Sequence, residues 1–206
     1  MNDTLDIPSP IDLRTIKDAT DWESTAMEKR PWRVEFFDIF SLEISKCSDT
    51  AKVLELGSGP GFLAAHVLHA LPRLKLHLLD FSDAMHALAK KRLAAKGSSS
   101  IYITRSFREP DWAVGLDDFD CIMTNQAVHE LRHKRHATNL HRAVRALLRP
   151  QGSYLVCDHY CGRDGMKNDQ LYMTIEEQKA ALMEAGFTKV DQLLAKGGLV
   201  LHRASN

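Results

Sequence analysis

Net charge is the first thing this chain lacks. Its 206 residues carry 27 Lys+Arg and 27 Asp+Glu, so the formal balance is zero. A balanced chain has no global electrostatic pull toward nucleic acid or an anionic membrane. Cysteine is sparse too, with Cys47, Cys121, Cys157 and Cys161 alone. That usage suits a reducing compartment rather than a disulfide framework. Cys157 and Cys161 flank Asp158-His159-Tyr160 with the look of metal-ligand spacing. A four-ligand zinc site needs a second well-placed pair, and Cys121 and Cys157 fall in apolar runs where cysteine acts as a small hydrophobe. No metal is expected. No apolar run is long enough to span a bilayer. The acidic segment Met1–Asp6 has no apolar core of the signal-peptide kind. A soluble cytoplasmic protein is therefore expected. Internal repeats and low-complexity tracts are also absent. What remains is enough chain for one α/β domain with a sizeable core.

The chain is organised around Val53-Leu54-Glu55-Leu56-Gly57-Ser58-Gly59-Pro60-Gly61. Val53, Leu54 and Leu56 read as a strand buried on both faces. Phe62 to Leu68 reads as a helix. Glycine between them permits left-handed backbone and close approach of a ligand to the main chain. A strand, a glycine turn and a helix N-terminus make a nucleotide-type site. The dinucleotide fingerprint is G-x-G-x-x-G, whereas this chain has G-x-G-x-G with Glu55 two places ahead. The string alone leaves three readings: a turn with no ligand, an NAD site, or another nucleotide.

The same pattern recurs along the chain. Leu74 to Asp80 reads as a second parallel strand ending in an acid, which suits a ribose diol. The other reading of Asp80, a charge at the next helix N-terminus, is already available to Ser82 or Asp83. Asp83-Ala84-Met85-His86 opens that helix, and Gly97 to Ser100 closes the unit as a polar loop. Ile101–Thr104 is the third strand and Asp118–Asn125 the fourth. Ligands in doubly wound sheets bind beyond the carboxyl ends of strands at the switch point. That places Asn125, Gln126, Ala127 and His129 beside the reacting group. Arg149-Pro150-Gln151-Gly152 reads as a turn before a fifth strand, Ser153–His159. Residues 160–173 read as a mobile polar loop. Thr174-Ile175-Glu176-Glu177 is a capping box for a helix that ends at Gly186. Phe187 to Leu194 and Leu199 to Arg203 read as a closing hairpin. Trp112 fits either core or pocket wall.

Residues 49–206 resemble the class I S-adenosylmethionine (SAM)-dependent methyltransferases. The likeness rests on Glu55 with the glycine turn, Asp80, the fourth-strand segment through His129, the Leu148-x-Pro150-x-Gly152 turn and the terminal hairpin. It implies a doubly wound, mostly parallel seven-stranded sheet in the order 3-2-1-4-5-7-6, the last strand antiparallel, with helices on both faces. It also implies SAM as cofactor and S-adenosylhomocysteine as product. Glu55 then faces the methionine end of SAM. Gly57, Ser58, Gly59 and Gly61 pass beneath it, Asp80 meets the ribose, Met85 packs near the adenosine, and Phe81 joins the cofactor set. Many members place an acid after the third strand. This chain has Arg105-Ser106-Phe107, which leaves the adenine amino group to Ser106 and a ring nitrogen to the Phe107 N–H. Asn125, Gln126 and Ala127 complete the cofactor set. Nucleic-acid amino methylases carry N/D-P-P-Y/F where this chain has Asn125-Gln126-Ala127-Val128, which argues against base methylation.

Residues 1–48 are expected to be separate: a loose arm over 1–20, then helices over 21–48 broken near Pro31, lying as a lid on cofactor and substrate. Arg30 and Arg33 are candidates for the SAM carboxylate, although solvated helix residues are the favoured reading. Trp32, His129, Glu130, His159 and Tyr160 are the candidate substrate residues, with Asp158 nearby. His129 is the candidate base or orienter, because a neutral imidazole accepts a proton near pH 7. A histidine satisfied by packing is the equal alternative. Residues 132–149 carry Arg132, Lys134, Arg135, Arg142, Arg145 and Arg149 without an acid. An amphipathic helix with Leu140, Val144, Leu147 and Leu148 inward is favoured over an RNA-facing surface, since few aromatics are interleaved to stack bases. The expectation is methyl transfer to a small molecule. RNA or protein methylation, a non-catalytic SAM-binding partner subunit and, last, an NAD oxidoreductase are the alternatives. The acceptor and the oligomeric state have no sequence signature here.

Overall fold

Two apolar layers, one on each face of a single sheet, explain why these strands read as near-continuous hydrophobic runs. The computed structural model describes residues 6–94 and 100–206. In chain order it contains α1 (Ile16–Lys29), α2 (Arg33–Ile44), β1 (Lys52–Leu56), α3 (Phe62–Ala70), β2 (Lys75–Asp80), α4 (Asp83–Ala94), β3 (Ile101–Thr104) and β4 (Phe119–Asn125). There follow α5 (Ala137–Leu147), β5 (Leu148–His159), α6 (Ile175–Glu184), β6 (Lys189–Lys196) and β7 (Leu199–Ser205). Two 3-10 turns, Val128–Leu131 and Lys134–His136, separate β4 from α5. The strands form one sheet in the order β3-β2-β1-β4-β5-β7-β6. Strands β1 to β5 pair in parallel, and β7 is antiparallel to both β5 and β6. This is the sheet the resemblance implied.

Side chains alternate along each strand. Val53, Leu78, Met123 and Leu155 join α2 and α3 in one core. Leu54, Leu79, Ile122 and Tyr154 join α5 and α6 in the other. Trp112 is buried in this second core. The strand order reverses between β1 and β4, where the Thr124 hydroxyl donates to Leu56 O at 2.9 Å. That clamp sits at the C-terminal edge, where the ends of neighbouring strands part and leave a crevice.

Several local expectations need correction. The first helix starts at Ile16, because the Thr15 side chain accepts from Asp18 N and caps a polar first turn that apolar periodicity does not reveal. α2 packs firmly on the sheet: Phe36, Phe40 and Ile44 are fully buried in the same core as β1 and α3. Residues 6–14 are tied down rather than loose. Ile7 N donates to Arg132 O at 2.9 Å, and Arg132 donates to Ile7 O and Pro8 O, both at 2.8 Å. The Ser82 hydroxyl donates to Leu13 O at 2.5 Å. The expected turn over 149–152 lies inside β5, which pairs Leu148 with Phe119 and next Ser153 with Cys121, so the extra residues form a bulge. Residues 160–173 are held by Cys161 N to Met173 O at 2.8 Å and Met166 N to Tyr160 O at 2.8 Å. The capping box at Thr174 and Glu177 is formed, and Gly186 (φ 105°) follows the end of α6. Of the polar loop expected over 97–100, residues 97–99 lie outside the described residues.

Candidate active site

The glycine turn is built on positive φ at Gly57 (67°), Gly59 (53°) and Gly61 (78°), values that L side chains adopt at a cost. Gly57 N and Ser58 N donate to Leu79 O at 2.8 and 3.1 Å, which pins the turn to the end of β2. Asp80 completes the junction. Its Oδ2 accepts from Gly59 N at 2.8 Å and its Oδ1 from Ser82 N at 2.9 Å. A Cβ at Gly57 would stand 2.4 Å from Ala127 Cβ, so the turn and the segment after β4 approach as closely as backbone allows. Gly61 does something different. It begins α3 and faces Ala89 of α4, where a Cβ would stand 3.1 Å from Ala89 Cβ, and it is not among the cavity-lining residues. Its place is helix packing.

A cavity of about 630 Å³ opens over this junction. Every other expected cofactor residue lines it: Glu55, Gly57, Ser58, Gly59, Asp80, Phe81, Met85, Ser106, Phe107, Asn125, Gln126 and Ala127. Of the expected substrate residues, His129, Glu130 and His159 line it. Trp32 and Tyr160 do not. Trp32 packs on Gly197 in the β6–β7 turn, and Tyr160 packs on Gly165. Most of residues 6–14, with Trp22, Arg30, Arg33 and Arg132, line it as well.

The polar groups on this wall are unevenly satisfied. Glu55 Oε2, Ser58 Oγ and Asn125 Oδ1 are buried and have no hydrogen-bond partner among the described residues. Buried polar atoms of that kind are costly unless a ligand or water completes them. Burial and the nearby Asp80 raise the Glu55 carboxyl well above its ordinary range. Burial also raises Asp80 to about 6, against the backbone N–H groups that favour its charge.

Across the crevice, at the ends of β4 and β5, a different set meets. His129 Nδ1 lies 2.7 Å from Asp158 Oδ1, its backbone N donates to Asp158 Oδ2 at 2.7 Å, and its Nε2 lies 3.4 Å from Glu130 Oε1. Burial acts to lower the His129 pKa, but the Asp158 and Glu130 carboxylates outweigh it and carry it above the usual imidazole range. Burial acts to raise Asp158, and the His129 charge holds it below the usual carboxylate range. The charged form of His129 is thereby favoured. Of the two roles expected of it, base or orienter, this favours the orienter.

Gln126 has φ 58°, a left-handed conformation that is costly for a non-glycine residue. It is held there by Gln126 N donating to Cys157 O at 2.7 Å. Its side chain accepts from Arg33 Nε at 2.6 Å and meets His159 Nε2 at 3.0 Å. Burial first, then the charges of His129, Arg30 and Arg33, push His159 down to about 4 despite Asp158. It is a neutral ring at pH 7. Arg33 is 4% exposed, which overturns the solvated reading for that residue. Burial and the like charge of Arg30 lower it to about 10, so it keeps its proton at neutral pH.

Sequence reasoning missed three features in and around this site. Residues 6–14 and Arg132 meet across more than a hundred positions, and no local pattern announces that. Tyr172 packs its ring 5.6 Å from His129 and 5.8 Å from His159, from a segment read as featureless loop. The pairing of Asp158 with His129 did have a signal: Asp158 nearly ends β5, much as Asp80 ends β2.

Fold and site together define a doubly wound domain with a cavity at its switch point. Residues 54–154 match a family model described as a methyltransferase domain. A malonyl-[acyl-carrier protein] O-methyltransferase of Paenibacillus sp. (strain JDR-2) is 25% identical over 155 residues, 68% of this chain and 56% of the relative. The chain thus spans little more than half of that relative's length. Among solved structures, an O-methyltransferase family protein from Burkholderia thailandensis superposes with a TM-score of 0.70 at 18% identity, over 92% of this chain and 60% of the other. A SAM-dependent methyltransferase from Aquifex aeolicus superposes with a TM-score of 0.67 at 19% identity, over 91% of this chain and 97% of the other. The matched residues 54–154 are thus similar to a methyltransferase domain, consistent with a class I SAM-dependent methyltransferase family, whose cofactor is SAM. Among the described residues no helix is long and apolar enough to cross a membrane.

Proposed function

We propose that this chain is an enzyme that transfers a methyl group from SAM to a small-molecule acceptor. The observation that carries the reading is the set of unpartnered polar atoms, Glu55 Oε2, Ser58 Oγ and Asn125 Oδ1, on the wall of a switch-point cavity beside Asp80. They fit the cofactor's polar groups. Asp80 and the turn at Gly59 suit a ribose diol, and Glu55 with Asn125 suits the amino-acid end. Ser106 and Phe107 line the cavity on the β3 side and suit the base. When bound, SAM supplies an electrophilic methyl on a sulfonium.

The chain's own residues then have three tasks. The wall made by residues 6–14, α1 and α2 keeps water from the reacting centre, which sharpens its electrostatics. The ends of β4 and β5 hold the acceptor in line. His129, protonated and clamped by Asp158, donates a hydrogen bond to the acceptor and orients it rather than taking its proton. The alternative as an RNA methyltransferase loses its main support, because the basic run is engaged internally. Lys134 pairs with Glu177 at 2.6 Å, Arg135 with Asp6 at 3.1 Å and Arg149 with Asp120 at 2.5 Å. Arg132 is bonded to the 6–14 segment. The division into a 1–48 cover and a 49–206 cofactor domain remains part of this proposal, with α1 and residues 6–14 as the covering part.

Calorimetric titration with SAM, S-adenosylhomocysteine and NADH, repeated with Asp80→Ala, tests the reading. Saturable binding of the first two that the variant loses supports it, and NADH binding alone overturns it. Single-turnover methylation then tests His129. His129→Ala should slow transfer while SAM affinity stays near wild type, and an unchanged rate removes His129 from the chemistry.

A further inference from the structure

We infer that the methyl acceptor is an organic acid, and that its carboxylate is held by Arg30 and Arg33; the inference rests on the methyl-transfer reading above. Both arginines line the cavity. Neither has a carboxylate within ion-pair distance among the described residues, although 19 such pairs occur elsewhere in them. Arg33 is buried. It directs Nε to Gln126 and Nη1 to Ala26 O at 2.6 Å, which fixes the guanidinium plane and leaves Nη2 for a ligand. The Arg30 side chain makes no hydrogen bond to the described residues and stands near enough to Arg33 for their charges to oppose each other. Two like charges on a cavity wall with no counter-ion are unfavourable alone and become favourable around an anion. Guanidinium groups match the planar, two-oxygen geometry of a carboxylate.

Position assigns the anion to the acceptor. Through Gln126, Arg33 is coupled to His159 at the end of β5, and Gln126 itself follows β4. This is the far side of the switch point from Asp80 and the Gly59 turn. His159 beside them is kept neutral by burial and by their charges. Of the carboxylates that line the cavity, Glu55 and Asp80 lie on the β1–β2 side, and Glu130 on this side is engaged with His129 and Arg132. Trp22 stacks beside Arg33, its ring centre 5.7 Å from the guanidinium carbon, and supplies an apolar wall for the body of the acid.

A carboxylate in this place has two sources, the acceptor and the amino-acid end of the cofactor, and binding separates them. Acetate, benzoate, malonate and phenylacetate, with their matching amides, are titrated by ligand-observed NMR into protein saturated with S-adenosylhomocysteine. Wild type, Arg30→Gln and Arg30→Lys are compared. The expected result is that at least one acid binds and its amide does not, that Arg30→Gln weakens the acid tenfold or more, and that Arg30→Lys restores most of it. In parallel, S-adenosylhomocysteine and 5′-methylthioadenosine, which lacks the amino-acid end, are titrated into the same three proteins. Arg30→Gln should leave both affinities within about twofold. Loss confined to S-adenosylhomocysteine would give the carboxylate to the cofactor and overturn the inference. So would acids and amides binding alike, or no acid binding at all. Failure of wild type to bind S-adenosylhomocysteine would instead strike the methyl-transfer reading itself.

Discussion

Gly57 and Gly59 share a backbone conformation but not a neighbourhood, and that difference can be measured. Gly57→Ala places a methyl 2.4 Å from Ala127 Cβ at φ 67°. The left-handed conformation costs an L residue about 1–2 kcal/mol. The overlap adds about 1–3 kcal/mol, because Ala127 sits on a segment whose backbone is bonded at Gln126 N to Cys157 O and has little room to retreat. Gly57→Ala should therefore destabilise the fold by about 2–5 kcal/mol. With an m-value of about 3 kcal/mol/M for a domain of this size, the urea midpoint should fall by roughly 1 M. Gly59→Ala meets no atom within 4 Å at φ 53°, so only the conformational cost of about 1–2 kcal/mol applies. Its methyl projects where the cofactor would approach, so S-adenosylhomocysteine affinity should fall at least tenfold in a protein that still folds. Urea unfolding followed by far-UV circular dichroism, with calorimetric titration of the folded variants, reads both quantities. A Gly57→Ala protein as stable as wild type would refute the close approach. A Gly59→Ala protein that binds normally would refute the placement of the cofactor over the turn.

Other expectations follow from the same contacts. Glu55→Gln should stabilise the ligand-free protein near neutral pH and weaken SAM binding. The raised folded-state pKa of Glu55 means that its contribution is present below the unfolded carboxylate value and is lost as pH rises through the folded one; denaturation across pH 5 to 8 reads this as a gap that widens with pH. Asp80, at about 6, should release roughly half a proton when SAM binds at pH 6, seen as buffer-dependent calorimetric heats. Asp158→Asn should destabilise the protein by about 3 kcal/mol at pH 7, because it leaves His129 buried beside one fewer carboxylate. Asp158, with a lowered folded pKa, contributes above its unfolded value and loses that contribution in acid. His129, with a raised one, contributes below its unfolded value and loses it in alkali. The difference between wild type and variant should therefore be largest around neutral pH, and a flat difference would refute the pairing. Arg132→Ala removes two donors to the 6–14 backbone, worth about 3 kcal/mol together, and should speed hydrogen exchange at the Ile7 amide without altering that of β1.

What was legible in the sequence was legible because it is local or periodic. The strand order followed from a glycine turn, a strand-ending acid and a closing hairpin, each readable within ten residues. The alternation of Val53 with Leu54 and of Leu155 with Tyr154 marks strands covered on both faces, which is why the doubly wound sheet could be anticipated. The helix start at Ile16 escaped because its signal is one cap, Thr15 onto Asp18, and not a stripe. The β5 bulge escaped because Pro150 and Gly152 signal a turn equally well whether the chain leaves the sheet or buckles within it.

The site divides along the same line. Residues placed by one strand end, such as Asp80 and Asn125, could be named, since a strand's C-terminal edge is where the fold presents them. Arg33 was named only as a candidate behind a favoured solvated reading, because its burial depends on Gln126, 93 positions away, and on the packing of α2. His129 was named as a base or an orienter. Its identity follows from position after β4, but its protonation follows from Asp158, 29 residues on, and Asp158 acquires that role only when β5 lies beside β4. Of the two roles expected of His129, base or orienter, the carboxylates that raise its pKa favour the orienter. Arg30 and Arg33 stand unpaired on the same side, whereas His129 already has Asp158 and Glu130 beside it. A neutral alcohol would give that side nothing to balance, whereas an ionised acceptor brings both the counter-charge and a lone pair that needs no proton removed. The pH dependence of transfer decides between them. With an ionised acceptor, the single-turnover rate should be flat from pH 6 to 8 and His129→Ala should lower it without adding a pH dependence. A rate that climbs tenfold per pH unit over that range would restore the base and remove the imidazolium from the mechanism.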